Sequence, residues 1–224
     1  MADNASDEGG LAAGGFASWV VAMQAAIRED RGSDVPCGEC TACCSSSQFV
    51  HIGPDETETI AHVPEELLFP APGLPAGHVL LGYDEHGRCP MLVDDQCTIY
   101  EHRPRTCRTY DCRVFPAAGL DLDDDDKVLI SRQVRRWQFS FPNDEDRARH
   151  EAVQAAAAFV DARRAVPANG AAPRNPTQVA VLAVEIHDVF LAHDGETGEL
   201  TVVDPDHEAV RLALEPRTGP RRPR

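Results

Sequence analysis

The spacing of the eight cysteines constrains this chain more than any other feature of its sequence. The first group, in the pattern Cys-x-x-Cys-x-x-Cys-Cys, consists of Cys37, Cys40, Cys43 and Cys44. The second group consists of Cys89, Cys97, Cys107 and Cys112. A Cys-x-x-Cys pair turns the chain tightly enough for both sulfurs to reach one ion, but the remaining ligands must come from elsewhere. The spacing therefore predicts that sulfurs from both groups converge on metal.

The start of the chain does not have the pattern of a secretory signal. Residues 1–15 are acidic and rich in Gly and Ala, whereas such a signal places basic residues ahead of an apolar run. The most apolar stretch, 16–27, is shorter than the ~20 residues that a membrane span requires. We expect a cytoplasmic protein, whose cysteines in a reducing compartment bind metal or carry out redox chemistry. If the chain were exported by another route, disulfides would be the alternative.

Charge argues against two classes of partner. The chain has 37 acidic and 21 basic side chains, with a formal net charge of -16 at pH 7. Such a charge repels phosphate backbones and anionic lipid surfaces. We therefore expect neither nucleic acid nor a membrane as a partner.

The number of thiols leaves the number of metal sites open. Eight cysteines match two four-sulfur sites, or one site with four cysteines left for structure or redox chemistry. A helix over residues 37–44 would put Cys44 beside Cys37 and Cys40, whereas a loop would favour Cys43. Neighbouring cysteines rarely bind one tetrahedral ion, so we expect Cys43 and Cys44 to serve different sites, or one of them only to pack. Zinc and iron, including an iron–sulfur cluster, both accept sulfur ligands.

Arginines surround the second cysteine group in the sequence. Four thiolates around a divalent ion leave about two negative charges that need neighbouring donors. The arginines close to Cys107 and Cys112 are Arg103, Arg105, Arg108 and Arg113. For Arg105 and Arg113, a surface role in an acidic protein is an equal alternative. The histidines near the cysteines are His51, His86 and His102, and we expect these to be solvated or packed more often than bound to metal.

Periodicity predicts mostly helices outside the cysteine region. Apolar residues recur at helical spacing over 16–27. The segment Pro54-Asp55-Glu56 resembles the first turn of a short helix. Residues 128–141 carry alternating aromatic residues and predict a strand or an aromatic plug. A helical hairpin is predicted from 143–164 and 175–190, followed by a strand near 200–203 and an amphipathic segment at 208–214.

The predicted fold class is α-rich, with irregular loops held by metal, minor strands and a C-terminal helical hairpin. We expect a disordered start at 1–15, a cysteine-cluster metal-binding domain with its leading helix at 16–118, a helical region packed on it at 119–214, and a disordered tail at 215–224.

The cysteine pattern, with Cys89-Pro90 and then Cys97-x-Ile-Tyr-Glu-x-Arg-Pro-x-x-Cys-Arg, resembles the bacterial CxxCxxCC family, often called YkgJ-like. The resemblance spans about residues 35–115. It implies zinc or iron chelation by all eight cysteines, with Tyr100, Arg103 and Arg108 around the sulfurs, and it implies no particular reaction.

We therefore expect a metal-binding protein with a structural or sensory metal, and a protein partner that binds its C-terminal helices. The alternative is an iron–sulfur or thiol redox enzyme, which would explain more cysteines than one structural site needs. The sequence has no phosphate loop, dinucleotide motif or recognised nucleophile–base pair that would favour another enzyme class.

Overall fold

The computed structural model describes residues 9–29, 32–33, 35, 38–122, 127–162 and 175–214. Of these residues, 49% are helical and 15% lie in strands. The fold is mixed, with several small sheets, so the prediction of an α-rich fold was wrong. Most of the strands are two or three residues long, which is too short for the alternating pattern that reveals a strand in a sequence.

The helices of the described part of the chain follow in order. They are α1 (Phe16–Glu29), α2 (Thr57–His62), α3 (Arg105–Thr109), α4 (Val114–Ala118), α5 (Val128–Arg136), α6 (Asp144–Ala162), α7 (Pro176–Ile186) and α8 (His207–Leu214). None of them has the length and apolar composition needed to cross a membrane. The predicted helix at 143–164 corresponds to α6, but residues 163–164 lie outside the described residues.

The strands form four small sheets within the described residues. They are β1 (Leu11–Gly15), β2 (Val50–Ile52), β3 (Leu68–Pro70), β4 (Val79–Leu81), β5 (Leu92–Val93), β6 (Gln96–Cys97), β7 (Trp137–Ser140), β8 (Leu191–His193) and β9 (Leu200–Val202). Parallel β1 and β7 form one sheet, and β2–β4–β3 form an antiparallel sheet. Two antiparallel pairs, β5–β6 and β8–β9, complete the set.

The two ends of the predicted domain scheme lie partly outside the described residues. Residues 1–8 and 215–224 are not described, so the structure does not address disorder there. Residues 11–15 form β1, which pairs with β7, so the predicted disordered segment does not extend to Gly15. The domain boundary at residue 118 stays a prediction.

The main hydrophobic core joins the start of the chain to its C-terminal helices. On α1, the buried apolar side chains recur every three or four residues, as on an amphipathic helix. They are Phe16, Trp19, Val20, Met23 and Ala26. They share one cluster with buried residues of α4, α6 and α7, where many positions are alanine. Small side chains let these helices approach closely, and the cluster forms one continuous core.

Polar caps fix the helices of this core at their first turns. Asn143 accepts a hydrogen bond from the Asp146 N–H (2.9 Å), and Asp146 accepts one from the Ala17 N–H at the start of α1 (2.8 Å). Asn175 accepts a hydrogen bond from the Gln178 N–H (2.9 Å), with proline at the first helical position of α7. Asp146 is buried, so the first turn of α6 holds the first turn of α1.

A second, smaller core lies under the sheet β2–β4–β3. Its buried members are Ile52, Val63, Leu81, Met91 and Ile99. Cys89 and Cys97 pack against it, whereas Cys40, Cys43 and Cys112 adjoin the main core. The cysteines therefore lie between two hydrophobic clusters.

Residues 128–141 differ in part from their prediction. The first nine form the helix α5, and only Trp137–Ser140 form a strand. Trp137 is buried in the main core, and Phe139 packs against that core. The alternating aromatic residues therefore identify the strand, but they do not identify the helix before it.

Val20 and Val21 provide a test of the main core. Val20 is fully buried, whereas Val21, the next residue on α1, is 53% exposed. Val20→Ala should lower the free energy of unfolding by about 2 kcal/mol, because two methyl groups leave the core and a cavity remains. The matched variant Val21→Ala should change it by less than about 0.5 kcal/mol. Urea denaturation of both variants at equal metal loading measures this, and equal losses would contradict the described core.

Candidate metal centre

The two cysteine groups meet through a backbone hydrogen bond. The Cys89 N–H donates to the Cys44 carbonyl oxygen at 2.7 Å. Cys44 lies in the 3-10 helix Cys43–Ser45. This bond joins segments that are 45 residues apart in sequence, as the numbering of its partners shows. It puts the start of the second cysteine group beside the end of the first.

A tight hairpin brings Cys97 beside Cys89. Strands β5 and β6 are joined by Asp94 and Asp95, which both have positive φ angles (49° and 57°). Two such residues are typical of a type I′ turn, in which Asp is tolerated because of its short polar side chain. The Leu92 N–H also donates to the Cys89 carbonyl oxygen (2.9 Å), so the hairpin begins at Cys89.

Cys107 is carried by the short helix α3, which polar contacts hold against β2 and α2. The Thr106 hydroxyl donates to the His51 carbonyl oxygen (2.8 Å). The Arg105 N–H donates to the Glu56 carboxylate (2.5 Å), and the Arg105 guanidinium pairs with Asp55. Pro104 precedes the helix and cannot donate a backbone hydrogen bond, so it suits this N-terminal position. These contacts fix the position of Cys107.

Four thiols lie close enough for their charges to affect one another. Desolvation by the surrounding protein, and then the charges of Cys44, Cys89 and Cys97, raise the pKa of Cys107 to about 12. The Cys107 residue is partly exposed at the surface, although the surrounding protein desolvates its thiol. We call Cys44, Cys89, Cys97 and Cys107 the surface sulfur group. These thiols share one region of the molecule, although no three of their sulfurs lie within 4.8 Å of one another in the described part of the chain.

Backbone donors surround the Cys89 sulfur. Burial raises the pKa of the Cys89 thiol, the N–H groups of Met91 and Leu92 lower it, and the charge of Cys97 raises it. N–H groups that point at a sulfur stabilise its thiolate form, which is the form that binds metal. The Cys89-Pro-Met-Leu segment therefore supplies donors for a negative charge on the Cys89 sulfur.

The other described cysteines adjoin the main core. Cys112 is buried, and its sulfur accepts a hydrogen bond from the Trp137 indole N–H at 3.1 Å. The pKa of Tyr110 is raised by burial and then by the charges of Cys43 and Cys112, so both sulfurs lie near enough to the phenol to act on it. We call Cys40, Cys43 and Cys112 the core sulfur group. Cys37, the remaining predicted ligand, lies outside the described residues.

A buried ionic network adjoins Cys112. Asp111 accepts hydrogen bonds from the Trp19 indole N–H (3.0 Å), the Ser33 hydroxyl (2.9 Å) and the Arg113 guanidinium (2.8 Å). Arg113 also donates to the Ala13 carbonyl oxygen (3.1 Å). The surface alternative for Arg113 was therefore wrong, because its guanidinium is buried and balances Asp111.

The three residues expected around the sulfurs differ in their positions. The Arg103 guanidinium lies 3.6 Å from the centre of the exposed Tyr100 ring, and its charge acts to lower the pKa of Cys107, against the larger effect of burial. The Arg103 Nε atom is buried and has no protein hydrogen-bond partner among the described residues. Arg108 is exposed, and its carbonyl oxygen accepts a hydrogen bond from the Ser33 N–H (2.8 Å).

The histidines near the cysteines have other partners. His51 Nε2 lies 2.9 Å from His78 Nδ1, and the two rings stack. The His86 side chain is largely exposed beside Glu85. His102 stacks on His62. The structure therefore gives each of these histidines a specific partner that is not a cysteine.

Two residues of the site were not predicted from the sequence. Trp137 was assigned to a strand or an aromatic plug, and Asp111 was not singled out at all. The only local signal for Asp111 is its position between Tyr110 and Cys112, because an acidic residue within an apolar and cysteine-rich segment needs a buried partner. The hydrogen bond from Trp137 to Cys112 joins residues that are 25 positions apart, so no spacing rule indicates it.

Comparison with known families agrees with the cysteine pattern. Residues 36–128 match the family model CxxCxxCC, whose description is "Putative zinc- or iron-chelating domain". No curated protein and no solved structure matches the chain. The matched segment contains all eight cysteines and ends at the first residue of α5. Residues 36–128 are therefore similar to the CxxCxxCC family, as the cysteine pattern indicates.

Proposed function

We propose that this chain holds zinc or iron at two thiolate sites, and that the metal has a structural or sensory role. The observation that carries the proposal is the separation of the neighbouring residues Cys43 and Cys44. The charge of Cys43 acts on Tyr110 together with that of Cys112, whereas the charge of Cys44 acts on Cys107 together with those of Cys89 and Cys97. One dipeptide thus contributes to both sulfur groups.

The surface sulfur group supports a four-thiolate site. Its members come from three separate segments, which are the 3-10 helix Cys43–Ser45, the β5–β6 hairpin and α3. Their mutual charges disfavour thiolates unless a cation balances them, and Zn²⁺ or iron bound by four sulfurs supplies that positive charge. Arg103 is the arginine whose positive charge lowers the pKa of Cys107, so it would help to balance a thiolate there.

The core sulfur group supports a second site in different surroundings. Cys112 is buried, and the Trp137 N–H already donates to its sulfur. A donor of this kind stabilises sulfur that carries negative charge, as a metal-bound thiolate does. We assign Cys37 to this group as the fourth ligand, because its Cys-x-x-Cys spacing to Cys40 suits a shared ion.

A structural or sensory role is supported by the parts of the fold that the two sulfur groups join. The surface group links loops that pack on only a small hydrophobic core, so bound metal would supply much of their stability. The core group contacts Trp137, which packs with α1 beneath the C-terminal helices. A change in its metal content would therefore reach α6, α7 and α8, where we place the surface for a protein partner. With all eight cysteines assigned to metal, no surplus thiols remain that would call for a redox enzyme.

Serine substitution of two adjacent cysteines tests the assignment to two sites. Cys44→Ser should remove about one of two bound ions and make Cys89, Cys97 and Cys107 react several-fold faster with iodoacetamide. Cys43→Ser should have the same effect on Cys40 and Cys112 and leave the surface group protected. Metal analysis and mass spectrometry of the alkylated cysteines measure both effects. If either variant exposed all remaining cysteines equally, the two groups would form a single site.

Two tryptophans test the donor at the core sulfur group. Trp137→Phe removes the N–H that donates to Cys112, and it should weaken metal retention at this group by about tenfold. Trp19→Phe is the matched control, because its indole N–H donates to Asp111 and not to sulfur. Competition with a chelator measures retention of metal in both variants. Equal weakening in the two variants would show that only packing matters.

The identity of the metal can be read from colour. Protein purified without oxygen should be colourless if it contains zinc, and brown and bleached by dithionite if it contains an iron–sulfur cluster. We expect metal analysis of the same sample to find zinc or iron at about two sites per chain. Fully folded, reduced protein without any transition metal would overturn the proposed function.

A further inference from the structure

Three side chains gather between α2 and the 3-10 helix Tyr100–His102. Glu58 and His62 lie one turn apart on α2, and His102 is the last residue of the 3-10 helix. One ligand atom from each of them, a carboxylate oxygen and two ring nitrogens, lie within 4.8 Å of one another. No cysteine belongs to this cluster, so it is separate from both sulfur groups.

A backbone carbonyl orients the His62 ring. His62 Nδ1 lies 2.7 Å from the Glu58 carbonyl oxygen. A carbonyl oxygen only accepts hydrogen bonds, so Nδ1 carries the proton and donates it. In the neutral ring, Nε2 then keeps its lone pair. Histidines that bind metal commonly have this arrangement, with one nitrogen donating to a carbonyl oxygen and the other facing the ion.

The second histidine lies directly against the first. The rings of His62 and His102 stack with their centroids 3.6 Å apart and their planes 12° from parallel. Glu58 and His62 are exposed, and His102 is half-buried. An ion can therefore enter from solvent, and the two rings would rotate out of their stack to direct both nitrogens at it.

Glu56 holds the two elements of this cluster together. One oxygen of its buried carboxylate accepts a hydrogen bond from the Gly53 N–H (2.8 Å), and the other accepts one from the Arg105 N–H (2.5 Å). Gly53 precedes α2, and Arg105 follows the 3-10 helix that ends at His102. The backbone that carries the three side chains is therefore fixed before any ion binds, which lowers the cost of assembling a site.

We propose that Glu58, His62 and His102 form an additional metal site for a divalent first-row transition ion such as Zn²⁺, Co²⁺ or Ni²⁺. Imidazole and carboxylate ligands suit such ions, whereas thiolate ligands favour softer metal ions. Three protein ligands leave coordination positions for water, so binding here is weaker and more reversible than at a four-sulfur site. The proposal does not depend on the role of the sulfur groups.

Cobalt binding to protein with filled sulfur sites tests this proposal. The protein is first loaded with zinc, freed of excess metal and then titrated with CoCl₂ under calorimetry and absorption spectroscopy. We expect one further Co²⁺ per chain, with weak d–d bands and no sulfur-to-cobalt charge transfer. His62→Ala and His102→Ala should each weaken this binding by about tenfold or more.

His86→Ala is the matched control for these variants. His86 is an exposed histidine with a carboxylate neighbour, Glu85, 3.5 Å away, but it is not part of the three-residue cluster. Its loss should leave cobalt binding unchanged. Glu58→Gln, which keeps the shape of the side chain, should also weaken binding and guards against a variant that misfolds. The proposal would be overturned if the double variant His62→Ala/His102→Ala bound cobalt as well as the unchanged protein. It would also be overturned if sulfur-to-cobalt charge-transfer bands appeared, or if no further Co²⁺ bound.

Discussion

The gathering of four thiols in one region is the constraint on which the cysteine region depends. Cys44, Cys89 and Cys97 lie where their charges raise the pKa of Cys107 to about 12, in addition to the effect of burial. Each thiolate opposes the ionisation of the next, so the four thiols would ionise together only if a cation balanced their charge. The hydrogen bond from the Cys89 N–H to the Cys44 carbonyl oxygen joins two of the segments that carry these thiols. A bound cation would therefore stabilise this arrangement.

The spacing of the cysteines predicts the meeting of the two groups, and periodicity predicts α1, α6 and α7, because both signals are local and repeat along the chain. Other features arise from contacts between distant segments. The strands β2 and β4 have three residues each and pair only across a loop, so no alternation reveals them. Arg113 reads as a surface residue until Asp111 is known to be buried beside it. Long-range pairing of this kind has no local signature in a sequence.

The position of the sulfur groups links the two hydrophobic cores. Cys43 packs against the main core, whereas Cys44 contributes to the group that adjoins the smaller core through Cys89 and Cys97. Cys43 and Cys44 are neighbours in the 3-10 helix Cys43–Ser45, so one peptide unit separates the two groups there. If the two proposed sites exist, metal bound at one of them would constrain the backbone next to the other, and a sensory role requires such coupling.

The matched segment 36–128 does not contain everything that surrounds its own cysteines. Trp137, which donates to Cys112, follows the segment, and Trp19, which donates to Asp111, precedes it. Strand β7 carries Trp137 and pairs with β1, so the two flanks of the segment are joined to each other. The flanks thus enclose Cys112 and exclude water from its sulfur. Since the donors around a thiolate set the properties of a metal bound to it, Trp137, which lies outside the family segment, would adjust what the core sulfur group does.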